Sequence, residues 1–135
     1  MCQLVATRST CPRRSVGALL VRDHRVIASG YNGAPAGEPH CTEVGCDLEN
    51  GHCVRTIHAE LNALLQCSRY GIATQGVDAY CTDMPCKHCA RALVQAGIQR
   101  IYYARPYESP ETVQLAIRTG VQLIRVPEPG AMTTD

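Results

Sequence analysis

Four side chains in two short blocks carry the strongest chemical signal in the sequence. His58-Ala59-Glu60 forms the first block, and Pro85-Cys86-Lys87-His88-Cys89 the second. Each block stands where an apolar 3.6-residue periodicity begins, so each is expected to open a helix. Cys86 and Cys89 are three apart, which puts both sulfurs on one face of a first helical turn. A helix N-terminus also lowers thiol pKa and so helps to supply thiolates. With His58 as a third donor, the set offers one imidazole and two thiolates. Three such ligands leave a zinc ion one open position, the arrangement of a catalytic rather than a structural site. Water in that position has its pKa lowered to about 7. Glu60 lies two residues from His58, about 200° around a helix. It therefore stands beside the ion rather than on it, where a carboxylate can move protons.

The bland alternative is a redox pair or half of a structural zinc knuckle at Cys86 and Cys89, with His58 an ordinary surface histidine. That reading leaves Glu60 and both helix-start positions as coincidences.

The rest of the chain must position these groups. Its 135 residues suit one domain over 1–135 with a sizeable core. The segments Val16–Val21 and Val26–Tyr31 read as a hairpin around an Asp23-His24 turn. Helices are expected over Met1–Ser9, Ile57–Arg69, Cys86–Ala96 and Glu111–Arg118. Strands are expected over Val77–Thr82, Arg100–Ala104 and Val121–Val126. Helix and strand alternating after an opening hairpin imply an α/β fold, a mixed sheet with helices against it. The tail 127–135 is expected to be loosely held.

Composition narrows the partners. The chain has six Tyr, no Phe and no Trp, so base stacking on a Phe or Trp platform is excluded. Thirteen basic and twelve acidic residues give a net charge of +1. A long nucleic acid is a poor partner for so balanced a chain, although one phosphate needs only one or two Arg. No apolar run approaches a membrane span, and no secretory leader is visible at the N-terminus. Nine cysteines, an odd number grouped with histidines, favour thiolate metal sites over disulfides and a cytoplasmic location.

Paired H-x-E and P-C-x-x-C blocks are the signature of zinc nucleobase deaminases. Around them, Ser29-Gly30-Tyr31-Asn32-Gly33-Ala34-Pro35-Ala36-Gly37 resembles the GYNGxPxG segment of deoxycytidylate deaminases. Val54-Arg55-Thr56-Ile57-His58-Ala59-Glu60-Leu61-Asn62-Ala63 resembles their zinc-helix segment, and Gln95-Ala96-Gly97-Ile98 the turn after the second helix. The resemblance runs from about Cys11 to Val126. It implies a three-layer α/β/α sandwich with a five-stranded mixed sheet, and a homo-oligomer. It also implies hydrolysis of dCMP to dUMP and ammonia, supplying dUMP for thymidylate synthesis, with Glu60 as the proton shuttle. Asn32 would contact the sugar of the nucleotide, and the amide of Ala59 the pyrimidine carbonyl. Some members respond to dCTP and dTTP as effectors. Arg55 and Arg69 are the candidate phosphate ligands, with a solvated helix arginine the plain alternative for each; Arg13 and Arg14 rank below them.

The polar stretch 40–54 is long for a structureless loop in a compact domain. Some relatives carry a second, structural zinc on cysteines matching Cys11 and Cys41. Cys11, Cys41, Cys46 and Cys53 would make such a closed site, with His40 or His52 able to replace a neighbour. Cys2, Cys67 and Cys81 read as small buried hydrophobes. The opening helix is shorter than the resemblance leads one to expect.

Two rivals remain at this level. One is a deaminase of another base, such as cytidine, guanine or tRNA adenosine. The other is a non-catalytic zinc- or nucleotide-binding module linked to DNA uptake. Glu60 separates the second from an enzyme, because a scaffold has no use for an acid beside an open zinc.

Overall fold

A computed structural model describes residues 1–7, 9, 15–39, 48–49, 52–53, 56–107 and 109–127; of 48–49 and 52–53 it describes the backbone pairing alone. After a short helix α1 (Cys2–Ala6) come β1 (Gly17–Arg22) and β2 (Arg25–Tyr31). Two-residue strands β3 (Leu48–Glu49) and β4 (His52–Cys53) follow, then α2 (Ala59–Tyr70) and β5 (Asp78–Asp83). The chain closes with α3 (Lys87–Gln95), β6 (Arg100–Arg105), α4 (Pro110–Thr119) and β7 (Gln122–Arg125).

The main sheet has five strands in the order β2-β1-β5-β6-β7. β1 runs antiparallel to β2 and β5, whereas β5, β6 and β7 are parallel. The hairpin turns at Asp23 and His24, both with positive φ (52° and 62°), as the tightest hairpins require. Its register shifts after Leu20, which leaves Ile27 as an extra residue, a bulge on the edge strand.

Two strand glycines set the layers. A Cβ on Gly17 would lie 2.2 Å from the Cys2 carbonyl oxygen, and one on Gly30 would lie 2.2 Å from that of Ala59. Ala18 pairs with Gly30, so these two share a face and Gly17 looks the other way. Hence α1 and α2 lie on opposite faces of the sheet, each against a glycine that lets its backbone come close. α3 packs against both α2 and α4, completing the layer on the α2 side. Between that layer and the sheet lies the core, built on Ala18, Leu20, Ala63, Val77, Leu93 and Ile101.

The expected three-layer α/β/α sandwich with a five-stranded mixed sheet is thus the fold observed. Three details differ. α1 spans Cys2–Ala6, shorter than the expected Met1–Ser9. The polar stretch 40–54 holds a small hairpin, with Leu48 paired to Cys53 and Glu49 to His52. β7 is four residues, Gln122–Arg125, rather than the whole of 121–126. Cys67 and Cys81 are buried as expected of small hydrophobes, while Cys2 is half-buried and its Sγ donates to the Tyr80 carbonyl at 3.1 Å. Among the described residues no helix is long and apolar enough to cross a membrane.

Candidate active site

Both ligand blocks sit at helix starts, but each helix begins later than periodicity suggested, at Ala59 rather than Ile57 and at Lys87 rather than Cys86. His58 is the N-cap of α2, with extended backbone (φ −63°, ψ 150°). Cys86 is the N-cap of α3 (φ −68°, ψ 170°) and Cys89 stands three residues on. The sulfurs therefore meet by N-cap geometry, in which the capping side chain folds back over the third helical residue, and not as neighbours within a turn. Pro85 precedes the cap. It is fully buried, and its carbonyl accepts a 3.0 Å hydrogen bond from Thr112 Oγ1 at the start of α4.

The His58 end is pinned with equal care. Ile57 and Gly33 exchange two backbone hydrogen bonds, of 2.8 and 3.2 Å, immediately before the histidine. Asn62 Nδ2 donates to the Tyr31 carbonyl at 2.7 Å, and Gln66 Oε1 accepts from the Ser29 N–H at 2.8 Å. These bonds satisfy the open edge of β2 with side chains of α2 and fix the helix along the strand. Ala59, with no exposed surface, is the contact with Gly30.

His58 Nδ1 lies 3.5 Å from Cys86 Sγ and 3.3 Å from Cys89 Sγ, and all three donor atoms fall within 4.8 Å of one another. Zinc–nitrogen and zinc–sulfur bonds of about 2.0 and 2.3 Å at a tetrahedral angle require an N···S separation of about 3.5 Å. The donor set and its spacing fit zinc.

Protonation follows the same geometry. The Cys89 thiol, donating to Cys86, and then the His58 ring hold the Cys86 thiol down to about 3 against the effect of its own burial. Cys89 is pushed up, first by that donation and then by burial. The two thiols are thus driven apart in acidity by their mutual hydrogen bond, Cys86 down and Cys89 up. Glu60, in the first turn of α2, is 5% exposed. Burial pushes its carboxyl above the ordinary range, opposed by its own backbone amide and by His58. A carboxyl so placed takes up a proton more readily than one in water.

His58, Glu60, Cys86 and Cys89 are therefore brought together. Ala59 stands at the first helical position, where its N–H has no intrahelical acceptor. Asn32 is buried at the end of β2, its Oδ1 accepting from the Val16 N–H at 2.9 Å. Arg69 is not brought to the cluster. It lies in the last turn of α2 with its guanidinium over the Tyr70 ring, about 16 Å along the helix from His58. Arg55, Cys11, Cys41 and Cys46 lie outside the described residues, and Cys53 is described only as the β4 partner of Leu48.

Sequence reasoning missed Asp83 and Arg105. Asp83 is buried at the end of β5, three residues before Cys86, and accepts at 2.8 Å from Arg105 Nη2. No local signal marked it, because β5 (DAYCTD) has an aspartate at each end and Thr82 beside this one, and the expected strand stopped at Thr82.

Fold and site together define an α/β protein with a His-Cys-Cys cluster able to hold a metal ion and a buried glutamate at the helix start that carries the histidine. The family model for the cytidine and deoxycytidylate deaminase zinc-binding region matches residues 1–105, and the chain belongs to this family. Among curated relatives, ComE operon protein 2 of Bacillus subtilis (strain 168) is 51% identical over 124 residues, covering 91% of this chain and 66% of that protein. Deoxycytidylate deaminase of Schizosaccharomyces pombe is 39% identical over 132 residues, covering 91% of this chain and 41% of that protein. The chain thus spans two-thirds or less of the length of these relatives. A solved dCMP deaminase from cyanophage S-TIM5, in complex with dCMP and dUMP, superposes with a TM-score of 0.82 at 31% identity, covering 93% of this chain and 90% of that one.

Proposed function

We propose that the chain hydrolyses dCMP to dUMP and ammonia. The observation that carries this reading is the His58–Cys86–Cys89 cluster at metal-ligand spacing, with the buried Glu60 beside it. The likeness to a structure holding dCMP and dUMP supports the substrate.

His58, Cys86 and Cys89 would hold zinc, which when bound supplies a nucleophile from water at neutral pH. Water adds across the C4–N3 bond: the C4–O bond forms while Glu60 carries the first water proton to N3. Glu60 then carries the second proton, from the hydroxyl now on C4, to the amine; the C4–N4 bond breaks, ammonia leaves and C4 becomes a carbonyl, so one water is consumed. The burial of Glu60 suits both halves of that task, because a raised pKa makes it a competent acid after it has served as base. The Ala59 amide donates to the pyrimidine carbonyl, and Asn32 contacts the sugar. Arg55 is the phosphate ligand this reading favours. Arg69 serves that role only for a site other than the one on its own protomer, given its distance along α2. Cys11, Cys41, Cys46 and Cys53 would hold a second, structural zinc.

The test is a substrate panel. The zinc-loaded chain should deaminate dCMP at least tenfold more efficiently than deoxycytidine, CMP or guanine, read as kcat/KM from loss of cytosine absorbance or ammonia release. Equal efficiency on deoxycytidine would remove phosphate recognition from the account.

A further inference from the structure

Metal ligands from two distant segments, His58 and Cys86, must be held at a fixed separation before any ion arrives. A continuous path of short contacts joins them. From the Cys86 side, Met84 donates its N–H to the Arg105 carbonyl at 2.9 Å, extending the parallel β5–β6 ladder to within two residues of the ligand. Asp83 and Arg105 are paired in that ladder, and one guanidinium nitrogen, Nη2, donates both to Asp83 Oδ1 at 2.8 Å and to the Ser15 carbonyl at 3.1 Å. The same carboxylate oxygen accepts from Thr82 Oγ1 at 2.8 Å, which in turn accepts from the Gly17 N–H at 3.1 Å. Next to Ser15, Val16 exchanges two hydrogen bonds with Asn32, through its N–H to Oδ1 at 2.9 Å and its carbonyl from the Asn32 N–H at 3.3 Å. Asn32 leads to Gly33, which is bridged to Ile57, the residue before His58.

Arg105 is the one charged side chain on this path that spans three segments, the ends of β5 and β6 and the approach to β1. Its partner Asp83 is 4% exposed, so the carboxylate has little water to fall back on, and Arg105 and Thr82 are among the groups that hold it. The Arg105 side chain is itself 43% exposed, so the pair stands at the rim of the sheet with its carboxylate inward. The position of the pair, three residues from one ligand and linked by hydrogen bonds to the segment of the other, gives it a use.

We propose that the Asp83–Arg105 pair is a positioning device for the metal centre: it fixes the separation of the His58 and Cys86 segments and so preorganises the ligand set. This rests on the reading of His58, Cys86 and Cys89 as a zinc site. Arg105 touches neither ligand and acts through backbone it holds.

The test compares the wild-type chain with Arg105→Gln, Arg105→Lys and the double variant Asp83→Asn with Arg105→Gln. The double variant removes both charges together and guards against a fold lost to an unpaired buried carboxylate. Zinc affinity is measured by competition with a chromophoric chelator, and cobalt is substituted to read ligand geometry from its visible spectrum. Partners hydrogen-bonded directly to a metal ligand change metal affinity by about 10–100-fold when mutated, and a pair acting through intervening backbone should change it less, by about 3–10-fold. Arg105→Gln and the double variant should lose affinity in that smaller range with a shifted cobalt spectrum, and Arg105→Lys should recover part of both. At saturating zinc, kcat should fall while KM for dCMP stays within about twofold. Unchanged zinc affinity and cobalt spectrum in folded variants, with a lower melting temperature alone, would overturn the pair's role and leave the zinc reading intact. A wild-type chain that binds neither zinc nor cobalt would overturn both.

Discussion

Gly30 offers a test of whether the fold places the catalytic groups as described. An alanine there puts its Cβ 2.2 Å from the Ala59 carbonyl oxygen and 2.6 Å from the Ala63 nitrogen, both helix backbone atoms. Ordinary carbon contacts are about 3.5 Å, so α2 must retreat from the sheet by roughly 1 Å. That helix starts on His58 and carries Glu60, so the retreat moves the proposed ligand and proton carrier away from Cys86 and Cys89, at the start of α3. A misplacement of about 1 Å costs on the order of 100-fold in rate, or about 2.7 kcal/mol in the barrier. Overpacking adds a stability loss of about 1–3 kcal/mol. The control is Gly71→Ala at the other end of the same helix. Gly71 has φ 68°, and a Cβ there would meet nothing within 4 Å. Alanine at that position is strained by its backbone conformation alone, about 1–2 kcal/mol, and leaves the helix start in place. Melting temperature, bound zinc and kcat on dCMP are measured for both. The expectation is that both variants melt lower but Gly30→Ala alone loses turnover and zinc. Near-wild-type kcat in Gly30→Ala would refute the claim that close docking of α2 on β2 sets the site.

Thiol reactivity and metal stoichiometry provide two further checks. In the metal-free chain the Cys89 thiol and the His58 ring hold the Cys86 thiol well below the ordinary thiol range, whereas burial pushes Cys67 and Cys81 up. At pH 6 a chelated sample should therefore be alkylated at Cys86 ahead of Cys67 and Cys81, with zinc abolishing the difference; mass spectrometry of peptides reads the order, and equal labelling would contradict the assigned thiolate. Elemental analysis of the purified chain should find two zinc ions per protomer, falling to one in Cys41→Ser with Cys46→Ser; one ion in the wild type would remove the second site.

What could be read from sequence follows from what kind of information fixes each feature. His58, Glu60, Cys86 and Cys89 were legible because their chemistry lies in local spacing at helix starts. The exact cap positions were not, since apolar periodicity does not distinguish an N-cap from a first helical residue. The order of elements was legible from alternation of periods, and the mixed sheet follows from it. Strand order and the face taken by α1 depend on long-range contacts such as Gly17 against Cys2 and Gly30 against Ala59. Asp83 and Arg105 escaped notice for the same reason: they are 22 residues apart and meet only through the parallel pairing of β5 with β6. Asn32 was proposed as a site residue only through family resemblance, because Tyr31-Asn32-Gly33 alone reads as a turn.

Whether a buried carboxylate beside a His-Cys-Cys zinc site makes this chain a deaminase of dCMP, rather than a holder of zinc, is decided by one comparison. Zinc-loaded wild type and Glu60→Gln are incubated with dCMP, and dUMP and ammonia are quantified. The wild type should yield equimolar dUMP and ammonia. Glu60→Gln should lose about 10²–10⁴-fold in rate with its bound zinc unchanged. No dUMP from a wild-type chain that carries its zinc, or full turnover by Glu60→Gln, would contradict this reading.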